Sequence, residues 1–456
     1  MRIPIRRTIL PLTTALAALA ALPAAGHASA SQTMVFEAPS QLLVDQARPG
    51  ALDEIKGFGV SNVRQLVYWQ SFAPKPNAKR KPKFNASNAS AYPAGTWDRL
   101  DHLVAEARQR GIKLQLTLTG PVPKWATGKH RDHLTRPSAK LYGQWVKAVS
   151  SRYGSDVSTW SLWNEPNSNH FLKPTGVKSA STYRKLYIAG AKAIRSSAAN
   201  KHDRILLGET APRGNSNTAH PLSYLRATLC LNSHYKRTRK CAKLDTQGYA
   251  HHAYTTRTGP HFKPPAGDVT IGVLSRLTGA LDRAARAHAV PRHLKLYLTE
   301  FGIQTYPDRT SGVPQAKQPA YLAISEHIAY TNPRVAQFSQ YELTDDKLLG
   351  GFQTGLRTAT GKKKPAYAGF SIPLAVEKVG SRDVLWGLVR PFRKTTKVVI
   401  QSRIGKKGAW KALRTRTTTA RGVYSFSVHH RKGVRYRVKW ASPSGGTLTG
   451  PAIDVN

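Results

Sequence analysis

Eight apolar, strand-forming runs alternate with seven amphipathic helical stretches between residues 34 and 341, and no other feature restricts the fold of this chain as much. The strands are read at 34–38, 63–69, 113–119, 157–162, 204–209, 246–254, 294–300 and 335–341. Between them, sets such as Leu100, Leu103, Val104 and Ala107, or Tyr142, Trp145, Val146 and Val149, recur at the spacing of one helix face. Glycines such as Gly111 and Gly154 close these helices. Strands that alternate with helices imply a parallel sheet, and eight such units close a (β/α)8 TIM barrel.

The pattern changes after about residue 372. Short, often alternating runs at 384–389, 397–400, 423–428 and 434–440 are separated by turns rich in Gly, Lys and Ser, which reads as a small all-β sandwich. The expected organisation is a signal peptide over 1–30, a barrel over 31–372 and a sandwich over 373–456. The leader has a basic start (Arg2, Arg6, Arg7), an Ala/Leu-rich core and the small-residue site Ala28-Ser29-Ala30. A secreted protein, cleaved near Ala30, is therefore expected. In that setting Cys230 and Cys241, the two cysteines of the chain, are expected to form a disulfide.

The formal net charge of +46 is uneven: residues 377–456 hold 18 Lys and Arg against 3 acids. Such a field favours anionic partners, an acidic polysaccharide or the cell envelope, with no specific nucleic acid implied. A solubility role explains it equally well.

Two strands end in a carboxylate. Val157 to Leu162 runs into Trp163-Asn164-Glu165-Pro166-Asn167, and Leu294 to Thr299 into Glu300-Phe301-Gly302, 135 residues after Glu165. The C-terminal tips of barrel strands are where such folds keep their chemistry, and paired carboxylates are what glycoside hydrolysis requires. In this order and spacing the two motifs resemble the fourth- and seventh-strand signatures of clan GH-A retaining glycoside hydrolases, closest to families 5 and 39. The resemblance spans roughly residues 31–375. The tail resembles the Ig-like modules appended to secreted enzymes.

The resemblance implies Glu165 as acid/base and Glu300 as nucleophile, with Asn164 on the sugar 2-hydroxyl. It implies Arg64 as the group that keeps the nucleophile charged. His252-Ala253-Tyr254 matches a His-x-Tyr motif whose tyrosine orients the nucleophile. Trp69, Trp125 and Trp163, at strand ends, are either stacking platforms for sugar or barrel packing. Glu209, Tyr341, Asp345 and Asp346 either bind sugar hydroxyls or are solvated loop residues. The chain departs from the family 5 pattern in lacking a histidine at the tip of strand three and in placing Tyr341 where relatives carry tryptophan. No cofactor and no metal are expected, since the His251–His252 pair lacks a third ligand at usable spacing. The expected partner is a β-linked poly- or oligosaccharide, bound by a monomer. The competing reading is a non-catalytic glycan-binding protein on the same scaffold. In the tail, Trp386, Trp410 and Trp440 are the candidates for a sugar surface.

Overall fold

The computed structural model describes residues 32–455; the leader expected over 1–30 lies outside them. Eight parallel strands close a barrel in chain order: β1 Thr33–Glu37, β2 Asn62–Tyr68, β3 Lys113–Thr119, β4 Val157–Leu162, β5 Arg204–Thr210, β6 Gly248–His252, β7 Leu296–Glu300 and β8 Val335–Tyr341, with β8 returning to β1. A helix follows each strand on the outside, from Arg48–Gly57 after β1 to Pro365–Ser371 after β8. That last helix was not foreseen. It is seven residues long and begins on a proline, too short for a periodic pattern to register.

The helices bury the faces expected of them. Leu100, Leu103, Val104 and Ala107 are all buried in Asp98–Gln109, as are Leu277 and Leu281 in Leu274–Arg286. Each such leucine contributes about 1.5–3 kcal/mol by leaving water. Pairing around the barrel is uneven. β2 and β3 match over seven register pairs, Asn62↔Lys113 to Tyr68↔Thr119, whereas β1 and β2 share one, Phe36↔Val63.

Beyond the barrel, strands β9 Leu374–Val379, β10 Arg382–Leu388, β11 Lys397–Ile404, β12 Lys411–Thr417, β13 Val423–His429, β14 Val434–Ala441, β15 Thr447–Thr449 and β16 Ile453–Asp454 form two antiparallel sheets. One is ordered β13-β10-β9; the other is β12-β11-β14-β15, with β16 also on β14. Val398, Ile400, Tyr436 and Val438 of the second face Val376, Leu385 and Phe426 of the first. Trp440 and Trp386 are buried in this region, so neither is available to stack on a sugar; Trp410 is partly exposed.

The sandwich is seated on the barrel. Ala320, Ala323 and Ile324 of the helix Gln318–Thr331 belong to its clusters. Beside them Arg390 makes two bonds to the Glu326 carboxylate, at 2.9 and 2.7 Å, and lies over the Phe370 ring at 4.1 Å. Cys230 and Cys241 are joined by the expected disulfide. No helix among the described residues is long and apolar enough to cross a membrane.

Candidate active site

Strand period decides which side chains reach the barrel interior. On β2, Arg64, Leu66 and Tyr68 share one face. Arg64 is fully buried there and Tyr68 lines a cavity at the strand tip. Trp69, one residue on, begins a short helical turn and points the other way, stacking on Trp145 at 5.6 Å in the outer core.

Arg64 spends every donor it has. Its Nε donates to Thr117 Oγ1 at 2.9 Å and Glu209 Oε1 at 3.1 Å. Its Nη1 donates to Glu37 and, at 2.9 Å, to Glu300 Oε1. Its Nη2 donates to Asn164 Oδ1 at 2.9 Å and Glu209 Oε2 at 2.6 Å. Burial alone would lower this guanidinium's pKa, but Glu209, Glu37 and Glu300 together raise it well above the ordinary value. One cation thus serves three carboxyl groups. Burial then pushes Glu37 well above the carboxylate range despite Arg64, with Glu300 and Glu209 adding to the rise, so Glu37 is the member that keeps its proton.

Glu300 goes the other way. Burial works to raise it, but His252 and then Arg64, by charge and hydrogen bond, hold it below the usual value. The Tyr254 hydroxyl donates to Glu300 Oε2 at 3.2 Å. His252 Nδ1 lies 2.9 Å from Glu165 Oε1 and 3.3 Å from Glu300 Oε2. Burial alone would lower His252; the charge of Glu300 and the Glu165 contact overcome it and raise the imidazole. Neighbouring His251 is different: burial drives it down to about 4, and its ring nitrogens meet Thr210 Oγ1 and the Val269 carbonyl.

Glu165 stands on a loop rather than a strand. Its φ is +35°, and its amide donates to the Glu209 carbonyl at 2.9 Å. Glu209 therefore fixes Arg64 through its side chain and Glu165 through its main chain. Gly302 explains the glycine of the seventh-strand motif: a Cβ there would lie 2.3 Å from the Tyr341 carbonyl oxygen. Glu165, His252 and Glu300 bring one metal-type ligand atom each within 4.8 Å of one another. The imidazole nitrogen in that set is already engaged with both carboxylates, an arrangement suited to sharing a proton.

Two cavities meet at this cluster. The smaller, about 190 Å³, is lined by Glu300, Asn164, Tyr68 and Tyr341; the larger, about 450 Å³, runs over the loops after β5, β6 and β7. Glu165 and Phe352 line both. Trp69, Trp125 and Trp163 line neither and are at most 5% exposed, so of their two readings packing is the one the structure supports. Trp163 packs so tightly beneath Gly120 that a Cβ there would stand 2.8 Å from its ring. Glu209 and Asp345 are not solvated either. Glu209 is 1% exposed, and Asp345 pairs with buried Lys364 at 2.6 Å. Asp346 holds the Phe352 amide at 2.8 Å, which shapes the loop that presents Phe352. Tyr341 reaches the smaller cavity as expected of strand eight, packed edge-on against Phe352.

Sequence reasoning missed three groups here. Glu37 closes β1 as Glu300 closes β7, so the same signal was present. Tyr68 follows Arg64 at period four on the same strand face. Glu342 had no signal: its carboxyl is 1% exposed with both oxygens unpartnered, and burial followed by the nearby Asp346 and Asp345 pushes it up to about 9.

A sequence model of the cellulase family, glycosyl hydrolase family 5, matches residues 29–333. No curated protein matches the chain significantly. Among solved structures it is similar to a family 39 glycoside hydrolase from Bacteroides cellulosilyticus WH2, at 14% identity over 90% of this chain and 81% of that one, with a TM-score of 0.50. It is also similar to a β-glycosidase from Thermosphaera aggregans, at 18% identity over 71% of this chain and 83% of that one, with a TM-score of 0.46. The former likeness is one of fold.

Proposed function

Because this chain belongs to glycosyl hydrolase family 5, the cellulase family, and is thereby a glycosidase, we propose that it cleaves β-linked poly- or oligosaccharides by double displacement. Glu300 is the nucleophile and Glu165 the acid/base. The observation that carries this reading is their separation: one carboxyl oxygen from each comes within 4.8 Å. Retaining enzymes hold the pair about 5–5.5 Å apart, whereas inverting ones leave about 6.5–9.5 Å for a water.

In the first step Glu165 gives its proton to the glycosidic oxygen as the Glu300 carboxylate attacks the anomeric carbon. The C–O bond breaks, the alcohol leaves and a glycosyl ester forms on Glu300. Glu165, now a carboxylate, takes a proton from water, whose oxygen attacks the same carbon and frees Glu300. His252, hydrogen-bonded to Glu165 and 3.3 Å from Glu300, is placed to stabilise the charge on either glutamate. Asn164, with its carbonyl oxygen held by Arg64, has its amide hydrogens left for the sugar 2-hydroxyl.

All of these groups come from one chain, so a monomer suffices. Export is part of the same proposal, with cleavage near Ala30 to be read from the mass of the secreted protein. The tail supports adsorption to anionic polysaccharide or envelope material: Trp410 lies between Arg403 and Arg437, at 4.5 and 4.4 Å.

Glu300→Ala is expected to abolish turnover, with azide or formate partly restoring it on an activated aryl glycoside through an inverted adduct. Glu165→Ala should keep the first step on good leaving groups and slow the second, with azide rescuing in retained configuration. Near-native activity in both variants sinks the assignment, and an initial α-anomer from a β-linked substrate sinks retention.

A further inference from the structure

We infer that the enzyme is exo-acting: it removes one neutral sugar at a time from the non-reducing end, holding that sugar in the smaller cavity. The inference rests on the roles of Glu165 and Glu300 proposed above. An acid that protonates the bridging oxygen must stand between the sugar being attacked and the group that leaves, whereas a nucleophile need touch only the former. Glu165 lines both cavities and Glu300 lines the smaller alone. The smaller cavity is therefore the glycone site, and the cleft over the β5–β7 loops receives the rest of the chain.

Size and walls then set the mode of action. At about 190 Å³ the glycone site lies below the ~300–1,000 Å³ of pockets that take drug-sized ligands. It has room for one ring and not for two. It is walled by Glu37 of β1 and Leu66 and Tyr68 of β2, with Pro39, Leu43, Phe171 and Phe352 completing it. An internal cleavage needs a chain running through both sides of Glu165, and the larger cavity, about 450 Å³, lies on the leaving side only.

Charge sets the kind of sugar. Glu37, Glu165 and Glu300 line the glycone site, and no Lys, Arg or His among the described residues does. Arg64, behind the wall, has every donor committed to Glu37, Glu300, Glu209, Asn164 and Thr117. A uronate there would meet carboxyl groups, and the nearest imidazole, that of His252, has its Nδ1 engaged by Glu165 and Glu300, in a protein whose formal charge is +46.

The test uses the full-length enzyme on 4-nitrophenyl β-glycosides of neutral hexoses, pentoses and glucuronic acid, and on β-linked oligosaccharides with free or benzylidene-capped non-reducing ends. Early in the reaction, monosaccharide should be the only short product. Capped chains and the glucuronide should react at least 100-fold more slowly than their free and neutral counterparts. Early products of mixed length, or cleavage of capped chains at the uncapped rate, overturn exo action; a preferred glucuronide overturns the neutral glycone. A binding arm needs no turnover: neutral monosaccharide-sized iminosugars should raise the melting temperature, and Leu43→Trp, which fills the site, should remove that rise. A panel in which none stabilises the protein overturns the glycone assignment. Product length is read on the unaltered enzyme, so it stands even if Glu300→Ala retains activity and the catalytic assignment fails.

Discussion

Glu342 and Glu37 show at the scale of single residues that this site tolerates buried acids by keeping some of them neutral. Glu342 has no hydrogen-bond partner for either oxygen, and its folded pKa is about 9 against an ordinary value of 4.5. A group raised in this way contributes no penalty below the unfolded pKa. As pH climbs from about 4.5 towards 9, the unfolded chain ionises while the folded one cannot, and stability is lost. Glu342→Gln is therefore expected to leave the melting temperature nearly unchanged at pH 4.5 and to raise it at pH 8. The gain should be on the order of a few kcal/mol. Equal shifts at both pH values, in melts of the two proteins side by side, speak against a buried neutral acid.

At the scale of elements, the two ends of the barrel do different work. The Cys230–Cys241 loop runs from the helix Pro221–Thr228 to the start of β6, at the end opposite Glu165 and Glu300. Replacing both cysteines by serine should cost roughly 2–4 kcal/mol of stability. It should leave kcat/KM on an aryl glycoside within about twofold, because nothing at the strand tips moves; a large loss of activity in a well-folded variant counts against this division. Much of this layout was legible in the sequence. Alternation gave all eight barrel strands, and a carboxylate closing a strand pointed to Glu165 and Glu300. What failed was parity and partnership. Trp69 sits at a strand end, as a platform would, but one residue out of phase with Arg64. Glu209 looks like any polar loop residue until Arg64, 145 residues away, is brought to it. β12 was missed because nearly all of Lys411–Thr417 is exposed, so neither face carries an apolar signature.

For the whole molecule, the sandwich and barrel share a core. Ending the chain at Ile372 would uncover Ala320, Ala323 and Ile324 and leave Glu326 without Arg390. Such a chain is expected to be insoluble or to melt many degrees lower. In the full chain, Glu326→Gln leaves a buried guanidinium short of its counter-ion, at a cost of roughly 3–5 kcal/mol. Unchanged melting in both would mean that the module is a passenger. The basic charge of the tail is consistent with this structural role, because it lies largely on outward positions: Arg435, Arg437 and Lys439 alternate with buried Tyr436 and Val438 along β14. The single register pair between β1 and β2 has a consequence at the same scale. The β1–β2 junction is the shortest ladder of the barrel, and the hydrogen bond from Arg64 to Glu37 is the lace across it, one side chain from each strand. The smaller cavity is lined from both strands, by Glu37 of β1 and by Leu66 and Tyr68 of β2. On the glycone assignment proposed above, substrate is then a stitch as well as a reactant.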